Sequence, residues 1–132
     1  MTTYNMGIDD LQTYQLAMTL GEKVWERVDA WDSFSKNTVG SQRVRAADSV
    51  AANIGEGYGR YHFKENIRFC YIARGSLFET KTWITKAYNR KLILAEEYEL
   101  FRQSINQPGV KLNNYLNVIG KTSRTTKDTP EQ

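Results

Sequence analysis

Residues 43–60 alternate apolar and polar positions with the period of an α-helix. The apolar positions recur every three or four residues, and the polar positions fall together on the opposite side. Small residues fill the flanks, so neighbouring backbones can come close. The pattern predicts a helix packed on more than one side, with the other helices arranged around it. Its apolar stripe consists of Val44, Ala47, Ala51, Ile54 and Tyr58.

A first helix is predicted to begin after Asp9 or Asp10, either of which can cap it, and to end between Trp31 and Phe34. Polar residues 33–40 then form a connection. After the second helix, Gly59 is expected to take the left-handed conformation that often follows a helix C-terminus. The predicted buried face of the first helix contains Leu11, Tyr14, Met18, Gly21, Trp25 and Val28, widened by Ala17, Val24 and Trp31.

The third helix, predicted over residues 64–89, is apolar on nearly all sides. One stripe serves the core, which leaves a second stripe of Ile67, Tyr71 and Phe78 and a third of Ile72 and Trp83. Exposing these stripes would create a larger apolar patch than monomers usually tolerate. We therefore predict a closed homo-oligomer with Ile67, Tyr71 and Phe78 at its interface.

A fourth helix is predicted from about residue 95, where acidic residues suit the first turn. Pro108 should kink or break it. Because the apolar phase continues beyond Pro108, one kinked helix is favoured over two separate helices, and Gly120 should end it. No segment has the period of a β-strand. The prediction is an all-α protein with an up-down-up-down four-helix bundle over residues 1–120 and a disordered polar tail over residues 121–132.

Composition places the chain among globular proteins with one domain, since it has 132 residues and ordinary apolar and charged fractions. Cys70 is the only cysteine, so an intrachain disulfide is impossible, which fits a reducing cytoplasm. There is neither an apolar run long enough to span a membrane nor a signal-peptide pattern. We expect a cytoplasmic protein with no membrane contact.

Positive charge is concentrated in the middle of the chain. The net charge is +3, but residues 40–91 carry ten basic and four acidic groups. This distribution indicates either a surface for a polyanion or a solvated face paired with acidic neighbours. Around the second helix end, basic and aromatic residues could bind a backbone and stack a base, or simply form an exposed junction. The candidate nucleic-acid contacts are Arg43, Arg45, Arg60, Lys64 and Arg68, with Tyr61 as the stacking platform.

No residue pattern favours catalysis, a metal or a cofactor. The glycines at 55, 57 and 59 neither follow a strand nor complete a dinucleotide-binding motif. Di-metal bundles need Glu-x-x-His pairs, and His62 is the only histidine. Cys70 lies among apolar residues without a plausible histidine base, so it is interpreted as a core residue. We expect a non-enzymatic protein with no catalytic residues, no metal site and no cofactor.

A polar seam is predicted on the back of the second helix. Asn53 and Glu56 could be catalytic, but hydrogen bonds between helices or subunits are favoured because buried polar groups find partners. Glu79 could pair with Arg60, Arg68 or Arg74. The seam comprises Ser49, Asn53, Glu56 and Glu79.

Two motifs resemble a known family. Residues 49–60 read S-V-A-A-N-I-G-E-G-Y-G-R and residues 69–79 read F-C-Y-I-A-R-G-S-L-F-E. They are similar to S-x-x-x-N-I-A-E-G-x-G-R and F-x-x-x-A-x-G-S-L-x-E of the four-helix-bundle proteins encoded in intervening sequences of bacterial 23S rRNA genes. The chain departs from this pattern at Gly55, where alanine is common, and at Arg74, where a small or apolar residue is common.

The resemblance implies a four-helix bundle that forms a ring-like homopentamer and has no enzymatic activity. The family is also similar to accessory proteins of diversity-generating retroelements, which are basic pentamers that bind nucleic acid and a reverse transcriptase. The leading hypothesis is therefore an oligomeric scaffold or accessory protein that binds RNA or DNA. The alternative is a protein-interaction module that docks a reverse transcriptase or a ribosomal component.

Overall fold

Four long helices build the protein. The computed structural model describes residues 7–125, with side chains through residue 121. A 3₁₀ turn (Ile8–Asp10) precedes the first helix, and a short helical turn (Ser33–Ser35) followed by a π-helical segment (Lys36–Gly40) leads into the second. The long helices are α1 (Gln12–Asp29), α2 (Ser41–Tyr58), α3 (Phe63–Asn89) and α4 (Ala95–Thr125). No strand occurs in residues 7–125, and the all-α prediction is confirmed.

The helices form an up-down-up-down bundle, as predicted. Each packs against its neighbours in sequence, and α1 also packs against α4, which closes the bundle. The α2–α3 contact is the most extensive. Only residues 59–62 link α2 to α3, and only residues 90–94 link α3 to α4. Such short links force consecutive helices to run antiparallel.

The buried side of α1 is rotated from the predicted one. Leu20, which the predicted stripe omitted, is fully buried, whereas Met18 is 45% exposed and Trp25 is 56% exposed. The α1 helix packs against α2 on one side and α4 on the other, so its buried side chains are those that point between these two helices. Met18 and Trp25 were counted as buried because they are apolar, but their side chains do not point between these two helices.

The helix ends also differ from the prediction. Neither Asp9 nor Asp10 caps α1, whose N-cap position is Leu11; instead, the Asp10 carboxylate accepts a hydrogen bond from the Gly7 amide at 3.0 Å. Gly59 has φ −78°, which is right-handed, so the predicted left-handed cap is wrong. In the described chain the left-handed region is instead occupied by Lys91, at φ 62°, in the link before α4.

The fourth helix is a single helix across Pro108, as favoured, and it is not broken there. It passes Gly120, the predicted end, and reaches Thr125. Pro108 is fully buried, and its carbonyl accepts a hydrogen bond from the buried Thr13 hydroxyl at 3.0 Å. A proline removes one intrahelical hydrogen bond, but the helix nevertheless continues on both sides of Pro108. Residues 126–132 of the predicted disordered tail lie outside the described residues.

Arg43, a predicted phosphate contact, lies in the core. Its side chain is fully buried, and its guanidinium carbon lies 4.2 Å from the centre of the Phe101 ring and 5.5 Å from that of Trp31. None of its three side-chain nitrogens has a hydrogen-bond partner in the described structure. Burial and the positive charge of Arg27 lower the pKa of Arg43 to about 10, and the negative charge of Glu97 offsets only part of this shift. Arg43 is therefore removed from the candidate surface.

We expect Arg43→Met to keep or raise the free energy of unfolding at pH 7, by up to about 3 kcal/mol, because it removes an unpaired buried charge while filling the same space. The folded pKa of about 10 lies below the ordinary value of an arginine. The charge therefore opposes folding fully below pH 10, and this opposition fades as the pH rises above the folded pKa. Arg43→Ala leaves a cavity and should lower the free energy by about 2–4 kcal/mol. Denaturant unfolding at one protein concentration measures the free energy of unfolding of both variants. An Arg43→Met variant as unstable as Arg43→Ala would contradict the prediction.

Gly57 lies at a close contact between α2 and α3. A Cβ atom there would lie 2.8 Å from Asn66 Oδ1, 2.9 Å from Phe69 Cβ and 3.0 Å from the Asn66 carbonyl oxygen. At Gly59, a Cβ would make only ordinary contacts of 3.6 and 3.7 Å. Gly57→Ala should therefore lower the free energy of unfolding by about 1–3 kcal/mol, whereas Gly59→Ala should change it by less than about 0.5 kcal/mol. Equal unfolding midpoints for the two variants would contradict this prediction, because they would show that α3 can move away from residue 57 of α2 without loss of stability.

Candidate nucleic-acid interface

The link between α2 and α3 brings together four of the predicted nucleic-acid contacts. Arg60, Tyr61, Lys64 and Arg68 are all exposed, and Tyr61 is exposed over 81% of its surface. Phe69 organises the two arginines, because their guanidinium carbons lie 4.9 Å (Arg60) and 4.8 Å (Arg68) from the centre of its ring. The result is a compact set of cations around an aromatic ring, with a second aromatic side chain projecting into solvent.

Each arginine in this cluster also pairs with a nearby carboxylate. Arg60 Nη2 lies 2.6 Å from Glu56 Oε2, and Arg68 Nη2 lies 3.1 Å from Glu65 Oε1. Exposed pairs of this kind contribute only about 0–1 kcal/mol each. An incoming phosphate can therefore replace the carboxylate at modest cost, while Lys64 forms no ion pair in the described structure.

The start of α3 is held firmly beneath the cluster. His62 is the N-cap residue, in an extended conformation, and its carbonyl accepts hydrogen bonds from the amides of Glu65 and Asn66. The Asn66 side chain donates to the Tyr115 hydroxyl at 2.8 Å, which ties α3 to α4.

Burial raises the pKa of Tyr115 and raises that of Cys70 to about 11. Cys70 therefore stays a neutral thiol at neutral pH and offers no nucleophile.

Arg45 is exposed but is not part of the cluster. It lies fifteen residues before Arg60, which corresponds to about 20 Å along the helix axis. It lines the groove between α1 and α2 near their other ends, with Trp25 and Lys36. The structure thus narrows the predicted surface to Arg60, Tyr61, Lys64 and Arg68.

Two basic residues of α4 lie in the same half of the bundle. The Asn66–Tyr115 hydrogen bond places the second half of α4 beside the start of α3. Lys111 and Lys121, one to two turns either side of Tyr115, are exposed. Lys111 lines the groove between α4 and α1, so it does not adjoin the α2–α3 link.

The polar seam joins α2 to α3 through two serines. The hydroxyls of Ser49 and Ser76 lie 2.8 Å apart. Asn53 is half-buried, and its amide nitrogen donates to the Ser49 carbonyl at 2.8 Å and to the Ser49 hydroxyl at 2.9 Å. Asn53 thus supports the seam from within its own helix. Glu56 pairs with Arg60, while Glu79 is exposed and forms no ion pair in the described chain.

The three predicted interface residues of α3 have different environments. Ile67 is half-buried and packs against the core, so it covers the chain's own interior. Tyr71 is 55% exposed and Phe78 is 62% exposed. In the third stripe, Trp83 also packs against the core, and Ile72 is 42% exposed. Only part of the excess apolar surface predicted for α3 is therefore open to solvent.

Within residues 7–125, no group of three or more histidine, cysteine, aspartate or glutamate side chains is placed to hold a metal ion. Among the helices described, none combines the length and apolar character needed to cross a membrane.

Comparison with known proteins places these features in a family. A crystal structure of a protein of unknown function from the S23 ribosomal protein family of Bacteroides thetaiotaomicron superposes with a TM-score of 0.72 at 18% sequence identity, covering 80% of this chain and 95% of that chain. At this identity the likeness establishes the fold. No curated protein matches the chain. The profile of the 23S rRNA-intervening sequence protein family matches residues 9–114, most of the chain. The chain therefore belongs to the family of 23S rRNA-intervening sequence proteins.

Proposed function

We propose that this protein is a non-enzymatic accessory protein that binds nucleic acid through the end of its bundle. The observation that carries the proposal is the cluster at the α2–α3 link. There, the guanidinium groups of Arg60 and Arg68 lie over the Phe69 ring, Lys64 is exposed one turn before Arg68, and Tyr61 projects 81% exposed into solvent. Cations that follow a phosphate backbone, combined with an aromatic ring on which a base can stack, are the usual means of binding single strands without reading their sequence.

Nucleic acid binds at this cluster by replacing the carboxylates that pair with the two arginines. Phosphate oxygens replace the carboxylates of Glu56 and Glu65 on the two arginines, and Lys64 contributes a cation that no carboxylate occupies. Tyr61 stacks on a base that is not paired. Because these cations contact phosphates, which carry no sequence information, the binding is expected to be nonspecific and sensitive to salt.

RNA is the first candidate ligand because the family is described by its connection with 23S rRNA. Single-stranded RNA also offers unpaired bases for stacking. We place this activity in the cytoplasm. DNA of the same sequence is the alternative ligand and belongs in every binding experiment.

We further propose that the protein acts as a homo-oligomer, and that the oligomer is a pentamer. Exposed Tyr71 and Phe78 support self-association, while the number of subunits comes from the family resemblance alone. Each subunit would contribute one cluster. Several weak phosphate contacts on one particle would then act together on one strand.

Neutralising the cluster should weaken nucleic-acid binding and its salt dependence. The triple variant Arg60→Gln, Lys64→Gln, Arg68→Gln is expected to reduce the slope of log K against log salt by about 0.7 for each phosphate of a single strand that the variant no longer neutralises. Fluorescence anisotropy with a labelled single-stranded RNA, and with DNA of the same sequence, measures the slope. The control is Arg90→Gln, Lys91→Gln, two exposed cations at the other end of the bundle, which should leave the slope unchanged.

The contribution of stacking can be tested separately. Tyr61→Ala should weaken binding by about 1–3 kcal/mol while leaving the salt slope intact, because the variant cannot stack a base but still neutralises the same phosphates.

No wild-type binding at low salt would refute the nucleic-acid proposal and leave the protein-interaction module as the better hypothesis. Equal weakening in the triple variant and its control would show a diffuse charge effect without a site.

The oligomeric state is tested by light scattering after size exclusion, at moderate salt and without nucleic acid. We expect a mass of five times the 15.2 kDa chain. A single-chain mass across a wide concentration range would refute self-association, and a dimer or tetramer would refute only the number of subunits.

A further inference from the structure

One side of α3 carries an exposed ridge that the bundle does not use. Tyr71, Arg74 and Phe78 follow one another at spacings of three and four residues, so they share a side of the helix. All three are exposed, and Arg74 forms no hydrogen bond or ion pair in the described structure. The ridge therefore presents two aromatic rings with a cation between them.

Gly75 adjoins this ridge, and the packing of the chain does not explain it. A Cβ atom at Gly75 would meet nothing within 4 Å, unlike one at Gly57. A glycine inside an exposed helix is less favourable than alanine. An absent side chain between Tyr71 and Phe78 would, however, allow a second backbone to approach α3.

A groove between α1 and α2 has the complementary character. Its volume is about 430 Å³. Two carboxylates, Glu22 and Asp48, stand on opposite walls, and neither forms an ion pair or a hydrogen bond in the described structure. Burial and the charge of Glu22 raise the pKa of Asp48, as expected for a carboxylate without a cation. The groove is otherwise lined by Tyr14, Ala17, Met18, Gly21, Ala51, Ala52 and Gly55, mostly small residues.

The ridge and the groove cannot meet within one molecule. The helices α1 and α3 are diagonal in the bundle, because each packs against α2 and α4. The groove opens between α1 and α2, whereas the ridge lies on the side of α3 that borders α4, where Arg74 and Phe78 line the open groove between α3 and α4. Their chemistry nevertheless matches: an aromatic ridge with an unpaired arginine corresponds to a groove of small residues with two unpaired carboxylates.

We propose that the Tyr71–Arg74–Phe78 ridge of one copy docks into the α1/α2 groove of a second copy. The two aromatic rings cover the small residues of the groove, and Arg74 reaches Glu22 and Asp48. Gly75 lets the second copy's α1 lie close to α3. This inference rests on the self-association proposed above and specifies which surfaces carry it.

A contact of this kind is head-to-tail, since each copy offers a ridge to one neighbour and a groove to another. Such a contact closes into a ring when the rotation permits. It also leaves the cluster around Phe69 outside the interface on each copy, because none of Arg60, Tyr61, Lys64 and Arg68 belongs to the ridge or the groove. Self-association and nucleic-acid binding can therefore fail independently.

The test uses two variants, each damaged on one surface. The ridge variant is Arg74→Glu, Phe78→Ser; the groove variant is Ala52→Arg, which places a long cation in the groove. All three positions are exposed, so the bundle should fold, and circular dichroism with thermal melting checks this. Each variant alone should have the single-chain mass of 15.2 kDa by light scattering. An equimolar mixture should form a dimer of twice that mass, because one intact ridge then meets one intact groove.

Leu100→Ser is the matched control. Leu100 is 63% exposed, similar to Phe78, but it lies on α4 in the groove facing α1. This variant should keep the wild-type mass. If the ridge or the groove variant also keeps the wild-type mass, the proposed docking is wrong while self-association stands. A mixture that stays at the single-chain mass would likewise overturn the head-to-tail contact. A wild-type protein that is itself a monomer would refute both, and the binding experiments would remain valid.

Discussion

The close packing of α2 against α3 is the contact on which the rest of the structure depends. At Gly57 the two backbones are so close that one methyl group would overlap with Asn66 and Phe69. The Ser49–Ser76 hydrogen bond fixes the same pair of helices farther along the seam. Because the helices are joined by only residues 59–62, this packing also decides where the link turns and which way Phe69 faces. The position of the candidate nucleic-acid cluster therefore depends on the close packing of α2 against α3.

Much of this arrangement could be predicted because its determinants are local. The helical period of residues 43–60, the acidic first turn of α4 and the short links all lie within single segments, and the bundle follows from them. The cluster was accessible for the same reason, since Arg60, Tyr61, Lys64 and Arg68 are separated by at most eight residues. Ser76, which completes the seam, belongs to another helix, so its role became visible only in the three-dimensional arrangement.

The failures of prediction come from interactions between segments. Arg43 has the character of a surface cation, yet the rings of Trp31 and Phe101, from two other parts of the chain, enclose it. Periodicity could not reveal that enclosure. Met18 and Trp25 were placed inside because the direction of the core depends on two neighbouring helices. At Pro108, local chemistry predicted a kink or break, whereas the helix is unbroken there and the Pro108 carbonyl accepts a hydrogen bond from Thr13. Ile67 similarly packs inward because α3 has two neighbours.

The stacking of Arg60 and Arg68 on Phe69 also affects the entropy of binding. Long arginine side chains normally sample many rotamers, and immobilising a flexible side chain in a complex costs about 0.5–1.5 kcal/mol. Here an aromatic ring and a neighbouring carboxylate already restrict both guanidinium groups before a ligand arrives. The ordering is therefore part of folding, and a phosphate meets cations whose positions are largely set. A surface of few charges can in this way hold a polyanion more tightly than the same number of freely moving side chains.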